Sequence, residues 1–315
     1  MIALGYRHVS TQLISQTMAH IKDRRAQNAE GNFYVDSSCI DCDTCRWLAP
    51  DVYGREGSQS AVYHQPQTQS ERIAALEALL ACPTGSIGTE EKPTDIRAVQ
   101  QQFPLQIDEN VFYCGYHSKK SFGAASYLIQ RSEAEGGNIL IDSPRFTPPL
   151  VKQIEAMGGV RYMYLTHRDD VADHQKFHDR FGCDRILHAD DVTSGTQSVE
   201  IQPSGSEPFS IDDDLTIIPQ PGHSKGHTVL LYKGKYLFTG DHLAWSARLE
   251  ALYAFRNFCW DSWRKQLESM KKLSAHTDRY AFEWVLPGHG RRFHSSPDEM
   301  RDRMAKCIQW MESVA

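Results

Sequence analysis

Histidines and aspartates are concentrated in one short stretch, "YMYLTHRDDVADHQKF" at residues 162–177. An apolar run ends there at His167, and the ionisable residues that follow are Asp169, Asp170, Asp173 and His174. Imidazole nitrogens and carboxylate oxygens are common protein ligands of zinc, iron and manganese. Loops that follow the strands of a rigid sheet are where such sites are built, so this stretch predicts a metal-binding loop.

Three later stretches also place a histidine or an aspartate after an apolar run. They are "PGHSKGH" with His223 and His227, "TGDH" with Asp241 and His242, and "PGHG" with His289. A single histidine after a strand is usually structural, but four such loops in one chain indicate a shared site. The sequence therefore predicts one metal centre assembled from several strand ends.

A second set of candidate ligands consists of cysteines. Cys39, Cys42 and Cys45 have C-x2-C-x2-C spacing, and the later Cys82 precedes a proline. In bacterial ferredoxins the same run continues to a Cys-Pro whose cysteine binds the other cluster, whereas this chain has alanine at that position. The four cysteines therefore predict one 4Fe–4S cluster. A zinc site or a disulfide pair fits this spacing less well.

The composition is that of an ordinary globular chain of 315 residues, with 40% hydrophobic and 23% charged residues. The formal net charge of −6 gives no reason to expect nucleic acid as a partner. No apolar run approaches the roughly 20 residues of a membrane-spanning helix, so we expect no membrane insertion. The N-terminus has no apolar signal core, which predicts a cytoplasmic location and leaves an organelle stroma open.

The elements that must position these residues follow from the hydrophobic pattern. Residues 1–30 are predicted as an N-terminal helical segment, with a helix from about Ser10 to Arg25. Residues 31–95 are predicted to hold the cysteines, and residues 96–315 to form a layered α/β sandwich. Later helices are predicted at "TPPLVKQIEAMGG", Asp173–Phe181, Trp260–Ala275 and Pro297–Ser313.

Two families resemble the two parts of this sequence. The cysteine pattern resembles single-cluster bacterial ferredoxins, and the chain from about residue 104 resembles the metallo-β-lactamase superfamily, whose motifs run H-x-H-x-D-H, G-H, G-D and P-G-H. The resemblance implies an αββα sandwich preceded by a small α+β ferredoxin-like domain. The metal ligands that it implies are His167, Asp173, His174, His227, Asp241 and His289.

The first motif departs from the family pattern. Five residues rather than three separate His167 from Asp173, and none of them is a histidine. Asp169 and Asp170 are the available replacements, and we expect Asp170 to join His167 and His227 around one metal. The other metal position, which is complete, is implied by Asp173, His174, His289 and Asp241. Two metals are expected, with iron or manganese as rivals of zinc and a mononuclear enzyme as the alternative.

The resemblance implies a metal-dependent hydrolase as the first functional hypothesis. Metal-bound water would attack an ester, thioester, lactone or phosphodiester of a small-molecule substrate, with Asp241 bridging the metals and Asp173 orienting the water. The fused cluster favours a second hypothesis, a ferredoxin-coupled oxidoreductase with a di-iron centre and a redox partner protein. A third hypothesis is a redox or iron sensor in which the cluster gates the second domain.

Four further residues near these motifs are candidates for support or substrate contacts. His223 and His242 are interpreted as neighbours of the ligands, with a purely structural role as the alternative. Arg291 and Arg292 follow the last motif and could receive an anionic group of the substrate, although arginines at such positions are more often simply exposed.

Overall fold

The computed structural model describes residues 19–275 and 280–315 of the chain. The helix predicted from Ser10 to Arg25 lies mostly outside the described residues, and its described end contains the short 3-10 helix Ile21–Asp23. Within the described ranges, no helix is long and apolar enough to cross a membrane.

The cysteine-bearing region is built from two small antiparallel sheets and two helices. Helix Thr44–Leu48 carries Cys45, and helix Gln69–Ala81 ends at Cys82, so each helix fixes one cysteine. The longer helix begins at Thr68 with a capping box, which satisfies two free backbone N–H groups. The paired strands are Phe33–Val35 with Ile87–Thr89, and Tyr53–Glu56 with Gln59–Val62.

Two six-stranded mixed sheets make up most of the remaining protein. In order across the first sheet, the strands are Asp184–Ile186, Tyr162–Tyr164, Ile139–Ile141, Tyr127–Ile129, Val111–Tyr113 and Leu105–Asp108. In order across the second sheet, they are Phe209–Ser210, Leu215–Pro219, Thr228–Tyr232, Tyr236–Gly240, Trp284–Pro287 and Phe293–His294. A small hairpin pairs Ala244–Ser246 with Ala251–Tyr253.

Helices cover the outer faces of the two sheets. Along strand Thr228–Tyr232, Leu230 faces the core between the sheets, whereas Val229 and Leu231 pack beneath the helices of the second sheet. This alternation follows from the two-residue period of a strand. The covering helices are Pro148–Ala156 and His174–Phe181 on the first sheet, and Trp263–Ala275 and Pro297–Ser313 on the second. The predicted αββα sandwich is confirmed.

The cysteine-bearing region and the sandwich share one continuous apolar core. Phe33 and Leu76 of the former belong to the same cluster of buried side chains as Tyr113 and Phe238 of the latter. Helix Ile96–Gln100 also contacts the long helix of the cysteine-bearing region. The division at residue 95 stays a prediction, because packing continues across it.

Candidate metal centre

The histidine and aspartate loops converge at one end of the sandwich. His167, His223, Asp241 and His289 each come shortly after the carboxyl end of a strand. The strands that lead to them are Tyr162–Tyr164, Leu215–Pro219, Tyr236–Gly240 and Trp284–Pro287. Loops at one edge of a sheet sandwich are a common location for ligand sites.

The first group of donor atoms consists of two imidazoles and two carboxylates. His167 Nε2 and His223 Nε2 lie 3.8 Å and 3.7 Å from Asp241 Oδ2. Asp169 Oδ2 lies 3.9 Å from the same His167 nitrogen and 3.6 Å from that of His223. The donor atoms of His167, His223 and Asp241 all lie within 4.8 Å of one another, which suits ligands of a single metal ion.

The second group of donor atoms consists of Asp170, Asp241 and His289, whose atoms also lie within 4.8 Å of one another. The His289 Nδ1–H donates to Asp241 Oδ1 at 2.7 Å, so the two oxygens of Asp241 serve different groups. A side chain at Gly288 would place its Cβ 2.8 Å from Asp170 Oδ2 and 3.1 Å from Asp241 Oδ1. Glycine at this position therefore lets both carboxylates approach His289.

Several buried ligand atoms have no hydrogen-bond partner among the described residues. They are His167 Nε2, both ring nitrogens of His223, His289 Nε2 and both oxygens of Asp170. A buried polar group without a partner costs about 1–3 kcal/mol, so this concentration indicates that a bound species completes the site. Imidazole nitrogen and carboxylate oxygen both bind metal ions. The residues therefore fit one or two divalent metals.

A buried relay of hydrogen bonds orients His167. The Thr166 N–H donates to Asp142 Oδ1 at 2.8 Å, and the Thr166 hydroxyl lies 3.0 Å from His167 Nδ1. Holding Nδ1 in this way directs Nε2 toward the metal centre. The sequence analysis missed Asp142, although an acid directly after the buried strand Ile139–Ile141 was an available signal.

Asp191 forms hydrogen bonds with two of the loops that carry candidate ligands. Its buried carboxylate accepts the Arg168 N–H at 3.1 Å, the Gly226 N–H at 2.8 Å and the Ser224 hydroxyl. Arg168 precedes Asp169, and Ser224 follows the ligand His223, so one carboxylate sets the spacing of both loops. Sequence reasoning also missed Asp191, which carries no local signal for this role.

His223 and His227 occupy different places at the centre, and the predicted ligand role of His227 stays a prediction. The His227 Nε2 accepts the N–H of Asp241 at 3.2 Å and positions that backbone, whereas His223 supplies a donor to the first group. Gly222 has φ +145°, and a Cβ there would overlap the backbone of Gln266. The available signal was Pro-Gly-His directly after a strand, an arrangement that His223 shares with His289.

Asp173 and His174 lie outside both donor groups found among the described residues, and the complete metal position implied by the family motif stays a prediction. The Asp173 carboxylate accepts the Phe146 N–H at 3.0 Å and lies 3.0 Å from the Lys176 ammonium. The His174 Nδ1 lies 3.0 Å from the Arg185 guanidinium, which donates to it. The reason is local, because helix His174–Phe181 begins at this point and holds both side chains in other contacts.

The carboxylates of Asp169 and Asp170 both lie at the centre, each beside a different donor group. Asp169 faces His167 and His223, where Asp170 was expected, and Asp170 faces Asp241 and His289. His242 is buried beside His227 but lies outside both groups found among the described residues.

The arginines after His289 face the cysteine-bearing region. Arg291 donates to both oxygens of Asp43, at 2.7 Å and 3.2 Å. The Arg292 guanidinium lies 4.8 Å from the centre of the Trp47 ring, which is a cation–π distance. Both side chains thus contact the cysteine-bearing region, and their expected role in receiving substrate stays a prediction.

The four predicted cluster ligands line one small cavity. Cys39, Cys42, Cys45 and Cys82 contribute to its wall, and all four are free of disulfides. The Ser86 N–H donates to Cys82 Sγ at 3.3 Å, the kind of backbone contact that stabilises a thiolate. Burial raises the pKa of the Cys42 thiol to about 11, so a bound metal is needed to keep it deprotonated.

The two donor groups differ in protonation. Burial lowers the pKa of His167 to about 4, which leaves the imidazole neutral and ready to bind a metal. Burial would also lower the pKa of His289, but the adjacent Asp241 carboxylate raises it to about 10. Burial, followed by repulsion from Asp241, raises the pKa of Asp170 well above its usual value. A metal ion entering the second group must therefore displace protons.

We expect metal binding at the second group to strengthen as the pH rises toward about 10, where His289 loses its proton. Calorimetric titration of metal-free protein with Co²⁺, in buffers that differ in ionisation enthalpy, measures the protons released. The His289→Gln variant should lose most of this release while retaining binding at the first group. Binding that releases no protons between pH 6 and 9, as a rough working range, would contradict these protonation states.

Replacing His174 with alanine should leave the metal content unchanged, whereas His167→Ala should reduce metal affinity by more than about 10- to 100-fold. The reason is that His167 supplies a donor atom, whereas His174 is hydrogen-bonded to Arg185. Elemental analysis of both purified variants checks this difference. Equal metal loss in the two variants would restore the motif-based assignment.

One comparison with known protein families finds a match in the cysteine-bearing region. Residues 35–89 match the sequence model of a family described as the 4Fe-4S single cluster domain of ferredoxin I. A search of curated proteins by sequence finds no match.

Solved structures are similar in fold to about two thirds of this chain. ETHE1 from Myxococcus xanthus has 19% sequence identity and a TM-score of 0.45, over 64% of this chain and 91% of that chain. A metallo-β-lactamase from Staphylococcus aureus subsp. aureus COL has 15% identity and a TM-score of 0.47, over 65% and 67% of the two chains. A metallo-β-lactamase from Hirschia baltica has 15% identity and a TM-score of 0.46, over 65% and 96%.

The chain thus combines a region similar to the 4Fe-4S single cluster domain of ferredoxin I with an αββα sandwich.

Proposed function

We propose that the protein is a metal-dependent oxidoreductase, in which the ferredoxin domain supplies electrons to iron bound at the centre of the sandwich. The observation that carries this proposal is the first donor group. It offers His167, His223 and Asp241 to one ion, with Asp169 beside them. Two histidines and one carboxylate form the donor set typical of non-haem ferrous sites, and the set leaves coordination positions open to a small molecule.

The chain's own residues prepare this centre for iron. Asp142, acting through Thr166, fixes the direction of the His167 ring, and Asp191 fixes the spacing of the two ligand loops. Bound iron would supply one-electron chemistry between its ferric and ferrous states. The Asp241 carboxylate, whose pKa is held well below its usual value by His289 against the effect of burial, supplies the negative charge that favours the ferric state.

The fused cluster supports redox chemistry more than hydrolysis. A 4Fe–4S cluster carries electrons, and hydrolysis has no use for them. The natural source of these electrons is a small electron-carrier protein, and the electron acceptor is a small molecule bound at the open positions of the iron.

Hydrolysis remains the second candidate function because Asp241 belongs to both donor groups. A carboxylate shared between two zinc or manganese ions is a frequent arrangement in two-metal hydrolases, where the ions activate water and hold the substrate oxygen. The substrate would then be a small ester, thioester, lactone or phosphodiester. The identity of the bound metal distinguishes the two candidate functions, because iron favours oxidoreduction whereas zinc favours hydrolysis.

Reductive titration of iron-loaded protein under anaerobic conditions tests the proposal. The cluster should accept one electron, and each iron at the centre should accept one more. The His167→Ala/His223→Ala double variant should accept fewer electrons than the wild-type protein, because its first group has lost both imidazoles and can no longer hold iron. Uptake of a single electron by the iron-loaded wild-type protein, together with zinc-dependent cleavage of model esters, would reject the proposal in favour of hydrolysis.

A further inference from the structure

One continuous contact joins the cluster ligands to the metal centre, and we call it the seam. On the ferredoxin side, it consists of residues 42–47 and 80–83. On the sandwich side, it consists of residues 113–125 and 288–292. Each of these segments either contains a proposed ligand or contacts one, so the seam connects the two centres.

Two arginines hold the seam from the side of His289. Arg291 lies two positions after that ligand and forms a two-pronged ion pair with Asp43, the residue that follows Cys42. Planar two-pronged pairs of this type fix geometry as well as charge. Arg292 stacks against Trp47, whose ring also contacts Tyr113 of the first sheet at 5.1 Å between centroids. The loop that carries His289 is therefore in direct contact with the segment that carries Cys42 and Cys45.

A second connection runs through the loop around Gly123. A Cβ at Gly123 would lie 3.2 Å from the Cys42 Cβ and 3.1 Å from Pro83, so this backbone is in close contact with two segments that hold the cluster. The preceding residue, Phe122, presents its backbone to the His289 ring. Farther along, the Ala125 N–H donates to the carbonyl oxygen of Gly288 at 2.7 Å. The loop thus touches a cluster ligand on one side and a metal-ligand loop on the other.

The interior of the seam is buried and hydrogen-bonded. Thr44 and His117 are almost fully buried, and the Thr44 hydroxyl lies 3.5 Å from Cys42 Sγ and 3.2 Å from His117 Nδ1. The other ring nitrogen, Nε2, lies 2.6 Å from the Tyr113 hydroxyl. The backbone N–H of His117 donates to the carbonyl oxygen of Ala81 at 3.2 Å, next to the fourth cysteine, Cys82. Specific polar contacts in a shared apolar core fix one arrangement of the domains.

From these contacts we propose that the seam is the route by which electrons pass from the cluster to the metal centre, and that Arg291 and Arg292 are the positioning residues that keep this route short. This rests on the proposed function. In the step itself, the reduced cluster loses one electron and a ferric ion at the centre gains it and becomes ferrous. No covalent bond forms or breaks. An electron-carrier protein restores the electron to the cluster.

In iron-loaded, full-length protein, a flash-excited flavin photosensitiser with a sacrificial amine donor reduces the cluster, and the test follows its reoxidation. The Arg291→Gln/Arg292→Gln double variant should transfer electrons roughly 10- to 100-fold more slowly, the scale by which a displacement of about 1 Å affects geometry-dependent reactions. The matched control is Arg55→Gln, because Arg55 pairs with Asp41 of the same cluster loop and is more than half exposed. This control should transfer electrons at the wild-type rate.

A second variant keeps the test decisive if the double variant loses its cluster. Gly123→Ala adds one methyl group against Cys42 and Pro83 at a residue with φ +89°, and it should slow transfer by separating the loops. Protein with Zn²⁺ at the centre should keep its cluster reduced, since zinc accepts no electron. A wild-type rate in both seam variants, with cluster and iron present, would overturn the route.

Failure of the route and failure of the proposed function give different results. If dithionite reduces the iron at the centre but the reduced cluster does not, the centre is redox-active and the route is wrong. If no reductant changes the state of the centre, the proposed function itself fails. Microwave saturation of the cluster signal, compared between Mn²⁺- and Zn²⁺-loaded protein, reports the proximity of the two centres independently. The paramagnetic ion should speed relaxation of the cluster spin.

Discussion

Asparagine in place of Asp241 should remove metal from both donor groups and abolish every activity of the centre. One oxygen of Asp241 faces His167 and His223, and the other accepts a hydrogen bond from His289. The loss of metal affinity should exceed about 100-fold, because even the loss of a supporting hydrogen bond costs 10- to 100-fold. Metal analysis of the purified Asp241→Asn variant, with cluster content measured by visible absorption, gives the result.

The matched control for Asp241 is Asp173→Asn. Asp173 comes from the same stretch as Asp169 and Asp170, and the family motif places it at the metal, but its carboxylate binds the Phe146 N–H and Lys176 instead. Metal content should therefore stay near the wild-type value in this control. Retention of metal at either group in Asp241→Asn, or its loss in Asp173→Asn, would show that the donor groups are wrongly assigned.

Serine in place of Cys82 should abolish most of the visible absorption of the cluster. The cysteine lies at the end of helix Gln69–Ala81 and lines the same cavity as Cys39, Cys42 and Cys45. Because cluster binding also stabilises the folded state, the thermal unfolding temperature of this variant should fall as well.

Cys307→Ser is the control for Cys82. Cys307 is buried in helix Pro297–Ser313, among methionines on the far side of the second sheet, and has no contact with the cluster cavity. Its replacement should cost at most about 1–3 kcal/mol of stability and leave the spectrum intact. A Cys82→Ser protein with unchanged absorption and unchanged acid-labile sulfide would exclude this cysteine as a ligand.

The elements of this fold could be predicted from sequence where the signals are local. Helix Pro297–Ser313 has its predicted bounds because Ser296 caps the first turn and Pro297 fits the first helical position. The cysteine spacing likewise predicted the ferredoxin domain that the family comparison finds at residues 35–89. In both cases the information lies within a few neighbouring residues.

The ligand set could be predicted only in part, because long-range packing decides it. The stretch "PGHSKGH" contains two histidines, and the contact of Gly222 with Gln266, a residue of a distant helix, turns His223 toward the centre. The letters "DH" at residues 173–174 match the family motif, yet the start of a helix directs both side chains elsewhere. The roles of Arg291 and Arg292 depend on the cysteine-bearing region, which lies about 250 positions away in sequence.

Joint analysis of iron, zinc, manganese and acid-labile sulfide in protein purified without oxygen tests the central claim most directly. An iron-containing centre predicts more iron than sulfide, since a 4Fe–4S cluster holds the two in equal numbers. The excess iron should disappear in Asp241→Asn while the sulfide stays. Equal iron and sulfide, with zinc filling the centre of the wild-type protein, would contradict the account and favour hydrolysis.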